Sequence, residues 1–159
     1  MEQLSLLQSP IKSCALTGHR RLEENFDKKA LKKTLETLIL NGVETFYNGL
    51  AMGFDLLSAE TVLDLKKTYP QIRLVLCVPF YGQEKGYSIE DKKRYAEILK
   101  NGDGCAVLSD RYYPGCFFKR NDYMCEQADM LLAYKRSEKG GTAYTVKKFM
   151  KKGGKIIFL

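Results

Sequence analysis

The chain is poor in the residues that build metal centres and proton relays. One histidine, His19, stands in 159 residues, and the five cysteines (Cys14, Cys77, Cys105, Cys116 and Cys125) contain no C-x-x-C pair. No recognisable zinc spacing can be assembled from that set, and an odd thiol count argues against a disulfide framework. Cys14, Cys77 and Cys105 each fall inside an apolar run, where a free thiol behaves as a small hydrophobe. The expectation is a reduced, cytoplasmic protein with no metal and no required cofactor. Long apolar runs are also lacking. None approaches the roughly 20 residues of a membrane helix, so membrane insertion is not expected. The opening "MEQLSLLQSPIKS" has no basic stretch followed by an apolar core and a small-residue cleavage site, so it does not read as a signal peptide. No repeat, low-complexity tract or linker divides the sequence, which reads as one domain over 1–159, with 1–10 expected as a loosely packed extension.

Charge is present but unevenly placed. The formal net charge is +7, and residues 135–155 carry the whole excess, with eight Lys/Arg against one Glu. Basic charge around a glycine-bearing turn favours an anionic partner, although a solvated helix face reads the same way. Apolar, β-branched runs recur at 11–17, 43–48, 72–78, 104–109, 129–134 and 155–159. Several are continuous rather than alternating, as strands covered on both faces require. Helical periodicity fills the gaps. Phe26, Ala30, Leu31, Leu35, Leu38 and Ile39 form one stripe, with Asn25 as expected N-cap and Gly42 as the stop. Leu56, Ala59 and Leu63 form a second, ended by Pro70. A third helix opens with Ser88 and Asp91 at capping spacing, and Ala143, Val146, Phe149 and Met150 mark the core side of the last. A helix within 115–127 is the least periodic. This alternation predicts an α/β fold: a three-layer, Rossmann-like, doubly wound and mostly parallel sheet in a single domain.

In such sheets ligands sit beyond the carboxyl ends of the strands. The loops expected there are 17–25, 48–55, 79–88, 109–121 and 135–142, and they hold most of the unusual residues. The opposite loops are short and bland. Gly49 to Gly53 and Gly140-Gly141-Thr142 each feed a helix, where backbone N–H groups and the helix dipole favour phosphate. Either glycine pair also suits an ordinary tight turn. Arg20 and Arg120 are candidates to clamp phosphate or carboxylate, though arginines are also common surface residues. Phe80, Tyr81, Tyr112 and Tyr113 are candidates to stack on a base or to form core edges. His19 has no assignable carboxylate partner, which favours a ligand contact over proton transfer.

The blocks "CALTGHR", "FYNGLAMGFDLLSAETVLDLK", "VPFYGQ", "RNDYM" and "GGTAYTVKKF", in this order, resemble the YpsA-like branch of the SLOG superfamily. These bacterial Rossmann-like proteins are related to the DNA-processing protein DprA/Smf and to the LOG phosphoribohydrolases. The resemblance implies a pocket for a nucleotide or nucleotide-derived ligand. It marks Thr17, Gly18, His19 and Arg20; Gly49, Ala51, Gly53, Phe54 and Asp55; Pro79, Phe80 and Gln83; Arg120 and Asn121; and Gly140, Gly141 and Thr142. LOG enzymes carry a P-G-G-x-G-T-x-x-E motif. Here Thr145 stands where its glutamate would be, and threonine cannot act as a carboxylate base. Asp55 and Glu60 remain catalytic candidates, and Glu84 a third.

Three functions are therefore expected in order. The first is binding, and sensing, of a nucleotide-like ligand. The second is a LOG-related hydrolase or transferase acting on nucleotides. The third is DprA-like binding of single-stranded nucleic acid. Nucleic acid is disfavoured as a partner because the basic residues are mostly lysines with little aromatic interleaving. Related Rossmann-like proteins often dimerise, so a homodimer is an expectation of the resemblance.

Overall fold

A computed structural model describes residues 10–159. The extension expected over 1–10 therefore lies outside the described residues except for Pro10. Six strands alternate with five helices: β1 (Ser13–Gly18), α1 (Lys28–Leu40), β2 (Thr45–Asn48), α2 (Phe54–Lys66), β3 (Arg73–Val78), α3 (Ile89–Asn101), β4 (Gly104–Val107), α4 (Cys116–Gln127), β5 (Met130–Tyr134), α5 (Gly141–Lys152) and β6 (Lys155–Phe158). A short 3₁₀ turn, Gln83–Gly86, precedes α3. The strands form one sheet in the order β4-β3-β2-β1-β5-β6, and every pair is parallel. The sheet is thus wholly rather than mostly parallel.

Strand alternation divides the core into two layers. Cys14 and Leu16 of β1 face α1, α2 and α3, in a cluster with Leu35, Phe46, Leu56 and Ile98. Ala15 faces the other way, toward Met124 of α4 and Val146 and Phe149 of α5. Leu131 and Ala133 join Ala15, whereas Leu132 and Tyr134 join the first layer. Because all crossovers are parallel and the chain doubles back, β1 and β5 are neighbours although far apart in sequence, with Gly18 registered on Tyr134. Their carboxyl ends mark the point where strand order reverses.

Three local expectations need correction. The N-cap of α1 is Asp27, whose Oδ1 accepts from the Ala30 N–H at 3.0 Å. Asn25 lies too far upstream to reach the first turn, because a cap must bond the N–H two or three residues on. Met150 is exposed, since the buried arc of α5 runs through Thr142, Thr145, Val146 and Phe149 and leaves Met150 on its flank. Cys105 is exposed because β4 is the sheet's edge strand, while Cys14 and Cys77 are buried as expected. Ser88 caps α3 through Asp91 N–H, and Gly102 follows its last residue.

Candidate functional site

A cleft of about 320 Å³ opens at the carboxyl end of β1, bounded by the starts of α2, α4 and α5. It lies where ligands bind in doubly wound sheets, at the reversal of strand order between β1 and β5. The β1 end contributes Thr17, Gly18, His19 and Arg20; the β2–α2 loop contributes Ala51 and Asp55. From α4 come Phe117, Phe118, Arg120, Asn121 and Met124, and from α5 come Gly141, Thr142 and Thr145.

Asn48, at the end of β2, builds one wall. It is fully buried, its Nδ2 donates to the Asp55 carbonyl at 2.9 Å and to Ser58 Oγ at 3.1 Å, and its Oδ1 accepts from Leu50 N–H at 2.8 Å. That grip holds Leu50 at φ 56°, the one non-glycine residue with positive φ among the described residues. Such a conformation persists only where the surroundings fix it. The Ala51 N–H donates to Asp55 Oδ2 at 3.2 Å, and the Phe54 N–H to the His19 carbonyl at 3.1 Å. The start of α2 is therefore occupied by the protein's own acceptors. Gly53 allows this closure: at φ 75° it packs so tightly on the His19 and Arg20 carbonyls that no Cβ fits.

Arg120 forms the floor. Its Nη1 donates to the Gly49 carbonyl at 2.6 Å and to the Cys77 carbonyl at 3.4 Å, and its Nε donates to Asn121 Oδ1 at 2.8 Å. A Cβ on Gly49 would stand 2.5 Å from Nη1, so glycine at this position makes room for the guanidinium. The group is 5% exposed. No carboxylate lies within ion-pair distance of it, and Nη2 has no partner, among the described residues. Burial pulls the Arg120 pKa down, and the neighbouring Asp55 charge opposes that. Asp55 itself is pushed up to about 6 by burial, against the pull of Arg120, the Ala51 N–H and Arg20. Phe117 lies between two guanidinium groups, with Arg20 5.0 Å and Arg120 5.8 Å from its ring centre.

The start of α5 is the open counterpart of α2. Gly140 takes the N-cap at φ 95° and no side chain caps the helix. The first N–H groups of α5 are left without internal acceptors, at the positive end of the helix dipole. Asn121 accepts from Arg120 through Oδ1, so its Nδ2 amide, lying beside Gly141, is left as a free donor among the described residues. Thr142 is buried on the cleft wall and its hydroxyl has no partner among the described residues. Arg120 Nη2, Arg20, Asn121 Nδ2, the Thr142 hydroxyl and the α5 N–H groups are all donors, facing one carboxylate. That inventory suits an anion.

Ten of the seventeen residues marked by the resemblance line this cleft. The others stand behind it. Gly49 and Gly53 shape the walls; Gly140 caps α5; the Phe54 ring packs under Gly18 and stacks on Tyr134 with centroids 5.8 Å apart. Phe80 packs edge-on against Phe117, and Pro79 is buried just after β3. Gln83 Nε2 donates to the Gly49 carbonyl and to Tyr95 Oη, each at 3.1 Å, while Oε1 has no partner among the described residues. Glu60 is not brought to the cleft. It pairs with Arg94 of α3 at 2.5 Å. Glu84 lies on the 3₁₀ turn, beside a different surface hollow.

Asn48 and Phe117 carry much of the geometry and were not singled out by sequence. A buried asparagine ending an apolar strand was a usable signal, and Phe117 lies three residues before Arg120 on one helix face. The basic stretch 135–155 converges on the cleft less than its composition suggests. Lys135 pairs with Glu138, Arg136 with Glu23 and Lys148 with Asp122. Lys152 Nζ donates to the Cys125 and Ala128 carbonyls at the end of α4.

No helix among the described residues is long and apolar enough to cross a membrane, and no group of three or more metal-ligating side chains is found among them. Among solved structures, the fold is similar to DNA processing protein A from Helicobacter pylori, described for its single-stranded DNA binding mode. The TM-score is 0.70 at 21% identity, over 97% of this chain and 67% of that one. DprA from Streptococcus pneumoniae gives 0.69 at 17% identity over 93% of this chain, which spans 50% of that protein. The expectation that nucleic acid is disfavoured as a partner is corrected by this likeness. It rested on the composition of the basic stretch, lysine-rich with few interleaved aromatics, and the same architecture occurs in a protein that binds single-stranded DNA. Curated relatives include UPF0398 proteins of Bacillus thuringiensis (strain Al Hakam) and Bacillus cereus (strain Q1). Each is 31% identical over 131 residues, 81% of this chain and 71% of the relative. The family model YpsA, described as the YspA SLOG family, matches residues 16–156, and the chain belongs to that family.

Proposed function

We propose that the cleft binds the phosphate-bearing part of a nucleotide or nucleotide-derived small molecule, and that the protein acts as a sensor of that ligand. The observation that carries this reading is the uncapped start of α5 beside the buried Arg120, a guanidinium with no carboxylate partner among the described residues. A helix N-terminus and a buried cation in one cleft supply the donors and the field that phosphate needs. Phe117 and Phe118 give the same cleft an apolar wall for a base or sugar. Thr145 supports binding without glycosidic cleavage. Its Oγ1 donates to the Gly141 carbonyl at 2.8 Å, so it is spent on the helix and offers no carboxylate.

Thermal-shift titration with nucleoside monophosphates, dinucleotides and ADP-ribose is the direct test. A ligand at a hundred times its Kd stabilises by roughly 2.7 kcal/mol, a shift of several degrees. Arg120→Gln should abolish the shift, with Arg120→Lys as the milder variant that keeps the charge. No stabilisation by any of these compounds overturns the reading. Release of free base from a monophosphate would replace it with the hydrolase.

A second reading, single-stranded nucleic acid along the same cleft, is favoured by the aromatic rim. Tyr112 and Phe118 are exposed, and Phe80 joins Tyr112 to Phe117 at 5.6 and 5.9 Å between ring centres. Exposed aromatic faces beside arginines are what unpaired bases stack on. It predicts oligonucleotide affinity that falls steeply with salt and is lowered by Phe118→Ala. Retained affinity at high salt would sink it.

A further inference from the structure

His19 is one of the residues where three loops meet. The Arg136 N–H, in the loop between β5 and α5, donates to His19 Nε2 at 2.6 Å. The His19 carbonyl accepts from Phe54 at the start of α2. Its ring meets Tyr134 edge-on at 5.7 Å, and the Tyr134 hydroxyl in turn accepts from the Glu23 N–H at 3.3 Å. An imidazole nitrogen that accepts from a peptide N–H carries no proton, so the ring is neutral with its hydrogen on Nδ1. Protonation would place a second N–H against the Arg136 N–H and remove that bond.

We propose that His19 is a positioning residue that latches the start of α5 to the end of β1, and that protonation of its ring opens the latch and loosens the anion site. Its anion-binding half rests on the reading proposed above; the latch itself does not.

The surroundings are set against the protonated ring. Arg136 and Lys135 flank it from the β5–α5 loop, and Arg20 follows it in the chain. Among the described residues Glu23 is the one carboxylate facing it from the β1–α1 loop, and that carboxylate is already paired with Arg136 Nε at 3.2 Å. Tyr134 is the remaining titratable neighbour. Burial first and Arg136 second hold the His19 pKa below its ordinary value. The Arg136 guanidinium is otherwise well held, lying 4.5 Å over the Tyr134 ring and donating to the Leu159 main-chain oxygen at 3.0 Å. Among the described residues, the imidazole is the one hydrogen-bond partner of the 136–140 backbone on the β1 side, beside the side-chain pair of Arg136 with Glu23. Because Gly140 and Gly141 begin α5 four and five residues later, movement there displaces the N–H groups of the cleft.

The latch makes a prediction opposite in sign to simple electrostatics. Adding a positive charge beside an anion site should tighten it; here acidification through the His19 titration weakens it. Sulfate is the probe, because its charge is constant over the range. The single histidine makes the experiment clean, since every imidazole NMR signal belongs to His19. His19→Gln keeps an acceptor near the Nε2 position and cannot titrate, whereas His19→Phe removes the acceptor. From about pH 7.5 to about pH 5, the ratio of sulfate affinity in His19→Gln to that in the wild type should rise about five- to tenfold. His19→Phe should be weak throughout. The Arg136, Gly140 and Gly141 amide signals should move with the imidazole titration, and the neutral ring should show the Nδ1–H tautomer. An Nε2–H tautomer, or amide signals that ignore the titration, overturns the latch. Sulfate affinities of wild type and His19→Gln that run parallel overturn its coupling to the site. Absence of sulfate binding in every variant overturns the anion-site reading instead, while the NMR signals still decide the latch.

Discussion

Asp55→Asn should flatten the pH dependence of stability. The carboxyl lies 6% exposed on the cleft wall and is pushed from 3.8 to about 6, by burial first, with Arg120 and the Ala51 N–H opposing. Below pH 3.8 both native and unfolded chains hold the proton, and no stability difference arises from it. Between there and about 6 the native state holds more protons than the unfolded one, so stability falls as pH rises; above about 6 the loss is complete. Two pKa units at about 1.4 kcal/mol each give a loss of ~3 kcal/mol at neutral pH relative to pH 4. The direction is opposite to that of a salt-bridged carboxylate. Urea unfolding at a series of pH values, wild type against Asp55→Asn, reads the difference directly. The gap between the two should change by ~3 kcal/mol across the range. His19 also titrates nearby, with the opposite sign: its lowered pKa makes the native state lose stability as pH falls. Subtracting the variant from the wild type removes that contribution. A difference curve that is flat, or that rises with pH, refutes the placement of Asp55 as a buried and incompletely compensated carboxylate. The asparagine retains an acceptor for the Ala51 N–H, so the loop should not be lost with the charge.

Gly49→Ala should cost about 2 kcal/mol or more, because its Cβ would lie 2.5 Å from Arg120 Nη1 and must push the guanidinium off the Gly49 and Cys77 carbonyls. Ligand-induced stabilisation should vanish with it; a variant of wild-type stability and ligand response would show that the guanidinium can sit elsewhere. Lys152→Ala should cost about 1 kcal/mol through the α4 end that its ammonium caps, lowering Tm without altering any ligand shift. A loss of ligand response there would put the basic helix face into the binding site.

Two helix starts at the same sheet edge were equally attractive as phosphate sites from sequence, since each is a glycine-bearing turn after a strand. Periodicity and glycine placement made the strands, the helices and the convergence of their loops legible, because those signals are local. The difference between the two turns is not local. The first is closed by Asn48 and Asp55 from its own loop and by the His19 carbonyl just after β1, a partner about thirty-five residues upstream of Phe54 that the β1–β2 pairing brings near. The second is left open, and the polar groups that share its cleft, Arg120 and Asn121, come from α4, a helix whose apolar spacing is only weakly regular. For the same reason Arg120 looked like an ordinary surface arginine. Its burial depends on Gly49, seventy-one residues away, having no side chain. The chemistry of the cleft follows from this division: the closed turn supplies a rigid wall bearing one carboxylate, and the open turn supplies the donors. A ligand that places an anion at α5 and a hydroxyl toward Asp55 would use both, and a hydroxyl donating to that carboxylate would draw its pKa back down. In a His19→Gln background, where the latch does not titrate, binding of such a ligand near pH 6 should therefore release protons, whereas an anion lacking the hydroxyl should take them up, and calorimetry in buffers of different ionisation enthalpy separates the two.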